Sequence, residues 1–90
     1  MKEQTPKIGA IVLSKAGRDK NRAFVITEVL DSEYVMIADG RLRTIDRPKK
    51  KKCKHLLWES EAQMAFPEHL LNADIRKFLK AQGFSNDRNE

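Results

Sequence analysis

The chain has 90 residues, of which 40% are hydrophobic and 34% charged, enough for one small domain with a modest core. Its longest apolar run, residues 10–13, is far shorter than the roughly 20 residues that a membrane-spanning helix needs. Residues 1–7 have no apolar stretch of the kind a secretory signal carries. The single cysteine, Cys53, excludes an internal disulfide and a multi-cysteine zinc site. We therefore expect a cytoplasmic protein without membrane association.

The positive charge is concentrated in the first two thirds of the chain. Lys and Arg total 18 against 13 Asp and Glu, a formal net charge of +5. Residues 1–58 carry 14 basic and 7 acidic side chains, whereas residues 59–90 carry 4 and 6. A positive field of this kind favours polyanions. A basic surface that only keeps the protein in solution has the same composition.

Residues 8–38 predict three β-strands. The segments 8–14, 23–30 and 33–38 are rich in β-branched and apolar residues, and polar turn residues follow the first two. Short strands separated by tight turns are typical of an antiparallel sheet.

Two further strands are predicted after a hairpin signal at Asp39-Gly40. Basic and apolar residues alternate over 41–45, which is the period of a strand with one buried face. Pro48 ends this strand, and residues 53–58 predict the last one. Five short strands in so few residues indicate a small, bent antiparallel barrel, because closure removes exposed sheet edges.

The last third of the chain predicts helical structure. Residues 59–65 predict one helical turn or a linker. A helix begins at Asn72 as its N-cap, has Asp74 in its first turn and ends at Gly83, a left-handed cap. Leu70 and Leu71 precede it and are placed to attach it to the barrel. The expected organisation is a flexible N-terminus (1–7), a barrel (8–58), a helical extension (59–84) and a frayed tail (85–90).

A basic loop connects the first two predicted strands. Arg18, Lys20 and Arg22 occupy alternating positions in residues 17–22. Arg offers phosphate a bidentate fork and Lys a mobile point charge, so this loop suits phosphate contacts with little sequence preference. An ordinary hairpin loop accounts for the same residues equally well.

A second basic segment surrounds Pro48. It holds Arg47, Lys49, Lys50, Lys51, Lys52 and Lys54, and His55 adds a charge when protonated. Like charges at this density repel each other unless a polyanion neutralises them, which favours a functional role. A solvated loop and a nuclear-import-like signal are the alternatives. Arg41 and Arg43 share one face of the predicted fourth strand and would extend the basic patch.

The residues argue against catalysis. Cys53 and His55 would share a strand face, but a metal site needs two further ligands, and only His69 and scattered carboxylates remain. Neighbouring lysines would lower the pKa of the Cys53 thiol, yet no His–Asp pair accompanies it as a catalytic nucleophile requires. We expect no enzymatic activity, metal, cofactor or small-molecule substrate. Among the few aromatic side chains, Tyr34 and Trp58 suit either the core or stacking on an unpaired base.

Residues 8–26 resemble a KOW motif, in which a strand opening with glycine leads into a basic, glycine-containing loop and a second apolar strand. The wider pattern is similar to small bacterial KOW-domain RNA-binding proteins related to archaeal and eukaryotic large-subunit ribosomal proteins. The matching blocks are 14–20, 34–40 and 48–56, with a weaker match at 71–79. The motif usually has glycine directly after its loop lysine, where this chain has Asn21. Asn tolerates the left-handed conformation better than other non-glycine residues, so the turn is expected to survive.

The resemblance implies an SH3-like barrel of KOW type that binds large-subunit ribosomal RNA and associates with ribosomal proteins. Lys15, Arg18, Lys20 and Arg22 would be its loop contacts. Together with the second basic segment, the candidate RNA-binding residues are Lys15, Arg18, Lys20, Arg22, Arg41, Arg43, Arg47, Lys49, Lys50, Lys51, Lys52 and Lys54. Shape and phosphate position would then carry recognition.

Two other functions fit the sequence. A protein-interaction KOW module would contact a translation or transcription factor through an apolar patch, for which Phe66, Leu70 and Leu71 are the candidates. A DNA-binding protein would use the same cations but would prefer duplex DNA at equal salt.

Overall fold

The chain forms a curled antiparallel sheet and one α-helix in the computed structural model, which describes residues 6–15, 17 and 20–84, with only the backbone of 59–61. The elements of this part of the chain are β1 (Ala10–Ser14), β2 (Ala23–Val29), β3 (Tyr34–Ala38), β4 (Lys49–Lys52), a 3₁₀ helix (Cys53–His55), β5 (Leu56–Gln63) and α1 (Asn72–Ala81). The strand order is β4-β3-β2-β1-β5, and the sheet curls into a half-barrel. The prediction of a mainly β fold with a short C-terminal helix is confirmed.

The first three strands lie where the sequence predicts them, trimmed by one or two residues at their ends. Val12 lies opposite Phe24, and Ile26 lies opposite Ile37. The register between β2 and β3 shifts after Ile26, which marks a β-bulge in this long hairpin.

The predicted strand over residues 41–45 is wrong, because other groups take its backbone N–H donors. The N–H groups of Arg41 and Arg43 donate to the Asp39 carboxylate, and that of Ile45 donates to Asn72 Oδ1 at 2.8 Å. Asp39 and Gly40 do form a turn, since their N–H groups both donate to the Arg43 carbonyl. The strand that pairs with β3 is instead the lysine run itself.

The last strand begins and ends later than the sequence predicts. Residues Cys53–His55 form a 3₁₀ helix, so Cys53 and His55 do not share a strand face. β5 pairs with β1 as far as Gln63, opposite Ala10, and the helical turn predicted for 59–65 is therefore also wrong. Three extra residues of β5 fit between Trp58 and Gln63, because the register against β1 shifts there.

The sheet is buried on both faces. The buried residues of its concave face are Ala10, Val12, Phe24, Ile26, Val35, Ile37 and Leu56. The opposite face packs against α1 and the segment before it, through Ile11, Ala23, Val25, Ala38, Met64, Ile75 and Leu79. The apolar runs in β1 and β2 are unbroken for this reason, because successive side chains enter two different cores.

The helix is fixed to the turn after β3. Arg76 Nη1 donates to the Gly40 carbonyl at 2.7 Å. Gly40 has φ +81°, and a Cβ there would overlap the Asn72 carbonyl oxygen. No other residue suits this position, because the backbones of the turn and of α1 approach too closely for a side chain.

The ends of α1 agree with the prediction to within one residue. Leu71 is the N-cap, and the Asp74 carboxylate accepts its N–H at 2.9 Å. Asn72, the predicted cap, is the first helical residue, and its side chain binds the loop instead. Gly83 follows the helix with φ +91°, which confirms the left-handed conformation predicted for it.

The segment before α1 is partly buried. Leu70 packs against the core beneath the helix, whereas Leu71 is 59% exposed.

Across the residues that the structure describes, no helix is long and apolar enough to cross a membrane. The predicted flexible N-terminus and frayed tail include residues 1–5 and 85–90, which lie outside the described residues.

Candidate nucleic-acid interface

The lysine run forms an edge strand whose side chains alternate between two faces. Lys50 and Lys52 lie opposite Met36 and Tyr34 in the ladder. The two ammonium groups stand over the Tyr34 ring, with Nζ of Lys50 at 4.7 Å and Nζ of Lys52 at 5.7 Å from its centroid. Both distances are within cation–π range. The ring thus holds two charges of the run on the outer face of the sheet.

The other two lysines of β4 lie on the core side of the sheet edge. Lys49 is opposite Ile37 and Lys51 opposite Val35, both fully buried, and the two lysines are half-buried. This is the arrangement in which a lysine lays its aliphatic stem over apolar surface. Alternation therefore lets four consecutive lysines occupy one strand without stacking all four charges on one face.

The lysine strand meets the first basic loop. A Cβ added to Gly17 would lie 3.9 Å from Lys51 Nζ. Lys15 is exposed next to this loop, and its N–H donates to the carbonyl of His55, just after β4, at 2.8 Å. The two basic segments that the sequence singles out are therefore neighbours in space.

The first loop closes through its own backbone. Asn21 donates its N–H to the Ser14 carbonyl at 2.8 Å, and Lys20 donates to the Gly17 carbonyl at 3.2 Å. Asn21 has φ 71°, so the expectation that it adopts the left-handed conformation is confirmed. Lys20 is exposed, whereas Arg18 lies outside the described residues.

The last cation of this loop is engaged inside the protein. Arg22 Nη2 donates to Asp39 Oδ2 at 2.7 Å, and the side chain of Arg22 is 21% exposed while that of Asp39 is fully buried. A charge-assisted bond of this length fixes the guanidinium. The structure thus gives Arg22 a bridging role between the first loop and the turn after β3.

Asp39 organises the segment that carries Arg41 and Arg43. Its Oδ1 accepts both of their backbone N–H groups, at 3.0 and 2.9 Å. Burial by itself would raise the pKa of the Asp39 carboxyl, but these two donors and the Arg22 guanidinium outweigh it and hold the pKa below its ordinary value. Arg41 is exposed and Arg43 half-buried, so the predicted common strand face of the two arginines does not exist.

A shallow cleft of about 420 Å³ opens at the other end of β4. Its lining consists of Ser32, Glu33, Lys52, Cys53 and Lys54. Asp31 Oδ1 accepts the backbone N–H groups of Glu33 and Tyr34 at 2.8 and 2.9 Å. The N–H of Cys53 donates to the Glu33 carbonyl at 2.8 Å, so hydrogen bonds join the two walls.

The thiol of this cleft is not an activated nucleophile. Burial and the nearby Asp31 carboxylate raise the pKa of Cys53, so the lowered pKa that the sequence suggested is wrong. Desolvation is the largest cause of this increase. Among the described residues, no group of three or more His, Cys, Asp or Glu side chains is placed to hold a metal ion.

The remaining candidate, Arg47, lies just before β4. Arg47 is exposed in the loop before the strand, and its N–H donates to the Thr44 carbonyl at 3.0 Å.

Sequence reasoning missed three features of this region. They are the hydrogen bonds that Asp39 accepts from three arginines, the cleft lined by Glu33, and the contact between Tyr34 and two lysines. The Asp39-Gly40 pair signalled a turn, but which side chains meet there depends on strand register.

Comparison with known proteins leaves the family open, because neither a protein-family model nor a curated protein matches this chain.

Proposed function

We propose that this chain is a non-enzymatic RNA-binding protein with an SH3-like barrel of KOW type. The fold part of the proposal rests on the KOW resemblance of residues 8–26, with which the curled five-stranded antiparallel sheet is compatible. The glycine-containing loop between β1 and β2 is the place where the resemblance puts RNA contacts.

The observation that carries the binding proposal is the position of Lys51 beside Gly17. Two cationic segments that are far apart in sequence are neighbours in the fold, because Lys51 of β4 lies beside the first loop. Lys20 is exposed in the first loop and Lys15 is exposed just before it. Several ammonium groups on one surface attract adjacent phosphates of a polyanion, and binding releases the counterions condensed on it.

Folded RNA suits this surface better than a single phosphate does. The candidate cations belong to three different elements, β4, the first loop and the 3₁₀ helix. Contacts of this kind recognise phosphate positions and the shape of the helix. By the KOW resemblance, the target is structured RNA of the large ribosomal subunit, and the protein acts in the cytoplasm, at the ribosome.

The protein-interaction alternative has less support. Two of the three residues proposed for its apolar patch, Phe66 and Leu70, pack partly buried against the core beneath α1. Leu71 remains exposed, but one leucine is a small surface for a stable partner.

Sedimentation of the tagged protein from native lysate, with and without RNase, tests the proposal. We expect the protein to migrate with large ribosomal subunits at low salt and to leave that fraction after RNase treatment. Migration at the top of the gradient at low salt would reject stable ribosome association. Binding that survives RNase would favour a protein partner.

A competition experiment separates RNA from DNA. A labelled hairpin of large-subunit ribosomal RNA is displaced by unlabelled RNA or by duplex DNA of equal length at the same salt. RNA should compete better, because the A-form minor groove and 2′-hydroxyl groups contribute contacts that DNA lacks. Stronger competition by DNA would assign the cations to DNA binding.

A further inference from the structure

Three kinds of groups occur in and beside the cleft at the end of β4. Glu33 lines the cleft, and the residue that follows it in the chain, Tyr34, provides an aromatic ring. Lys52 lines the cleft and also stands over the ring, while Lys54 contributes a second ammonium group. A ring, a carboxylate and two cations are the groups that recognise the base, its polar edge and its phosphate.

Tyr34 is only partly buried, and two mobile lysine side chains stand over its ring. The ammonium groups of Lys50 and Lys52 stand 4.7 and 5.7 Å from its centroid, at the end of flexible four-carbon stems. Base–aromatic stacking is stronger than an exposed cation–π contact. A base that stacks on Tyr34 therefore displaces an ammonium group, and the displaced group stays close enough to bind the phosphate of the same nucleotide.

The carboxylate of Glu33 is chemically suited to one base. An ionised carboxylate only accepts hydrogen bonds, and its two oxygens accept them side by side. Guanine offers two adjacent donors on its Watson–Crick edge, N1–H and the N2 amino group. Adenine, cytosine and uracil each offer one donor group on that edge, so they cannot satisfy both oxygens.

The walls of the cleft are held before any ligand arrives. Asp31 accepts the N–H groups of Glu33 and Tyr34, which fixes the turn between β2 and β3. The bond from Cys53 N–H to the Glu33 carbonyl holds the 3₁₀ helix against that turn. Little backbone ordering is then needed on binding.

We propose that this cleft binds one unpaired guanosine nucleotide of an RNA strand, with the base stacked on Tyr34, its Watson–Crick edge on Glu33 and its phosphate on Lys52 and Lys54. This inference rests on the RNA binding proposed above. It adds a base-specific contact to a surface that otherwise recognises phosphates.

Single-stranded RNA pentamers test the inference. UUGUU, UUAUU, UUCUU and UUUUU differ only at the central base, and their affinities for the wild-type protein are compared by titration calorimetry at low salt. UUGUU should bind about tenfold more tightly than the other three, which is the discrimination typical of one bidentate pair. Equal affinities for the four pentamers would overturn the inference.

Two substitutions separate the carboxylate from the ring. Glu33→Gln should abolish the preference for guanosine while leaving UUUUU binding as tight as before or tighter, because a negative charge is removed. The matched control, Glu28→Gln, removes an exposed carboxylate that does not line the cleft and should keep the preference. Tyr34→Phe retains the ring and should bind all four pentamers normally, whereas Tyr34→Leu should weaken all four about tenfold.

Stacking has a separate spectroscopic readout. The chain has one tyrosine, so its ring protons are identified directly in an NMR spectrum. UUGUU should move these protons upfield through the ring current of the stacked base, and unmoved protons would contradict stacking. If the pentamers bind alike while a ribosomal RNA hairpin still binds with strong salt dependence, this inference fails and the proposed function stands. If neither RNA binds, both fail.

Discussion

Lys51 Nζ lies 3.9 Å from the position that a Cβ would take on Gly17, which joins the lysine strand to the first basic loop. β4 carries this lysine at a sheet edge, opposite buried Val35. An edge strand of lysines also resists pairing with another sheet. Successive side chains of β4 point to opposite faces of the sheet. The same four lysines can thus protect the sheet edge from pairing with another strand and present charge to a polyanion.

The Asp39 carboxylate should stabilise the fold at neutral pH. Asp39→Asn loses the ion pair with Arg22 and weakens two charge-assisted bonds, so we expect a loss of about 1–3 kcal/mol in the free energy of unfolding at pH 7. Urea denaturation of both proteins measures the difference. Equal stabilities at pH 7 would show that the ion pair and hydrogen bonds of Asp39 do not stabilise the fold.

The same pair of proteins should converge in acid. The folded-state pKa of Asp39 is lowered, so its contribution is present above the unfolded-chain value of about 3.9 and is lost as the pH falls through the folded-state pKa. The stability difference should therefore be constant from neutral pH down to mildly acidic pH and should shrink below that range. A difference that does not shrink would show that the charge of Asp39 is unimportant.

Gly40 and Gly83 both have a positive φ, so comparing their alanine variants separates the cost of a steric overlap from the cost of the positive φ itself. Gly40 and Gly83 have φ +81° and +91°, but a Cβ at Gly40 would overlap the Asn72 carbonyl, whereas a Cβ at Gly83 meets nothing within 4 Å. Gly83→Ala should cost about 1 kcal/mol through its positive φ alone. Gly40→Ala should cost clearly more in thermal denaturation. Equal losses would mean that the contact between turn and helix relaxes easily.

The helix should be essential to the stability of the sheet. Ile75 is fully buried against the outer face of the sheet, so Ile75→Ala should lower the free energy of unfolding by about 2–4 kcal/mol. Lys77→Ala on the exposed side of α1 is the control and should change it by less than about 0.5 kcal/mol. If the two variants unfold alike, α1 does not contribute to the core.

The fold should tolerate glycine better than alanine at position 21. Asn21 has a left-handed φ of 71°, so Asn21→Ala should cost about 1 kcal/mol, and Asn21→Gly should change stability by only a few tenths. Chemical denaturation of the two variants measures both values. A larger loss for glycine than for alanine would exclude the left-handed turn.

The sequence predicts those parts of the fold that depend on local pattern. The unbroken apolar runs of β1 and β2 and the helical spacing of Ile75 and Leu79 each indicate their element without help from distant residues. Those runs also carry a signal that both faces of the sheet are covered. The left-handed residues Asn21 and Gly83 follow from residue type alone.

The other parts of the fold depend on tertiary contacts, which a local sequence pattern does not predict. Residues 41–45 have strand periodicity, but Asp39 and Asn72 take their N–H groups. Lys49–Lys52 has no strand periodicity, yet it pairs with β3 because its partners Val35 and Ile37 belong to the core. The same holds for the candidate site: the sequence gives the candidate cations, while the residues that lie next to them depend on strand register.

The salt dependence of RNA binding tests most directly whether the first loop and the lysine strand form one phosphate-binding surface. The affinity for a ribosomal RNA hairpin is measured across a range of salt concentrations for the wild type, for Lys20→Gln/Lys51→Gln, and for the control Lys77→Gln/Lys80→Gln on α1. The loop-and-strand variant should bind more weakly and lower the slope of log K against log salt by about 1 for each lysine removed, whereas the control should match the wild type. Equal slopes for all three proteins would contradict the account.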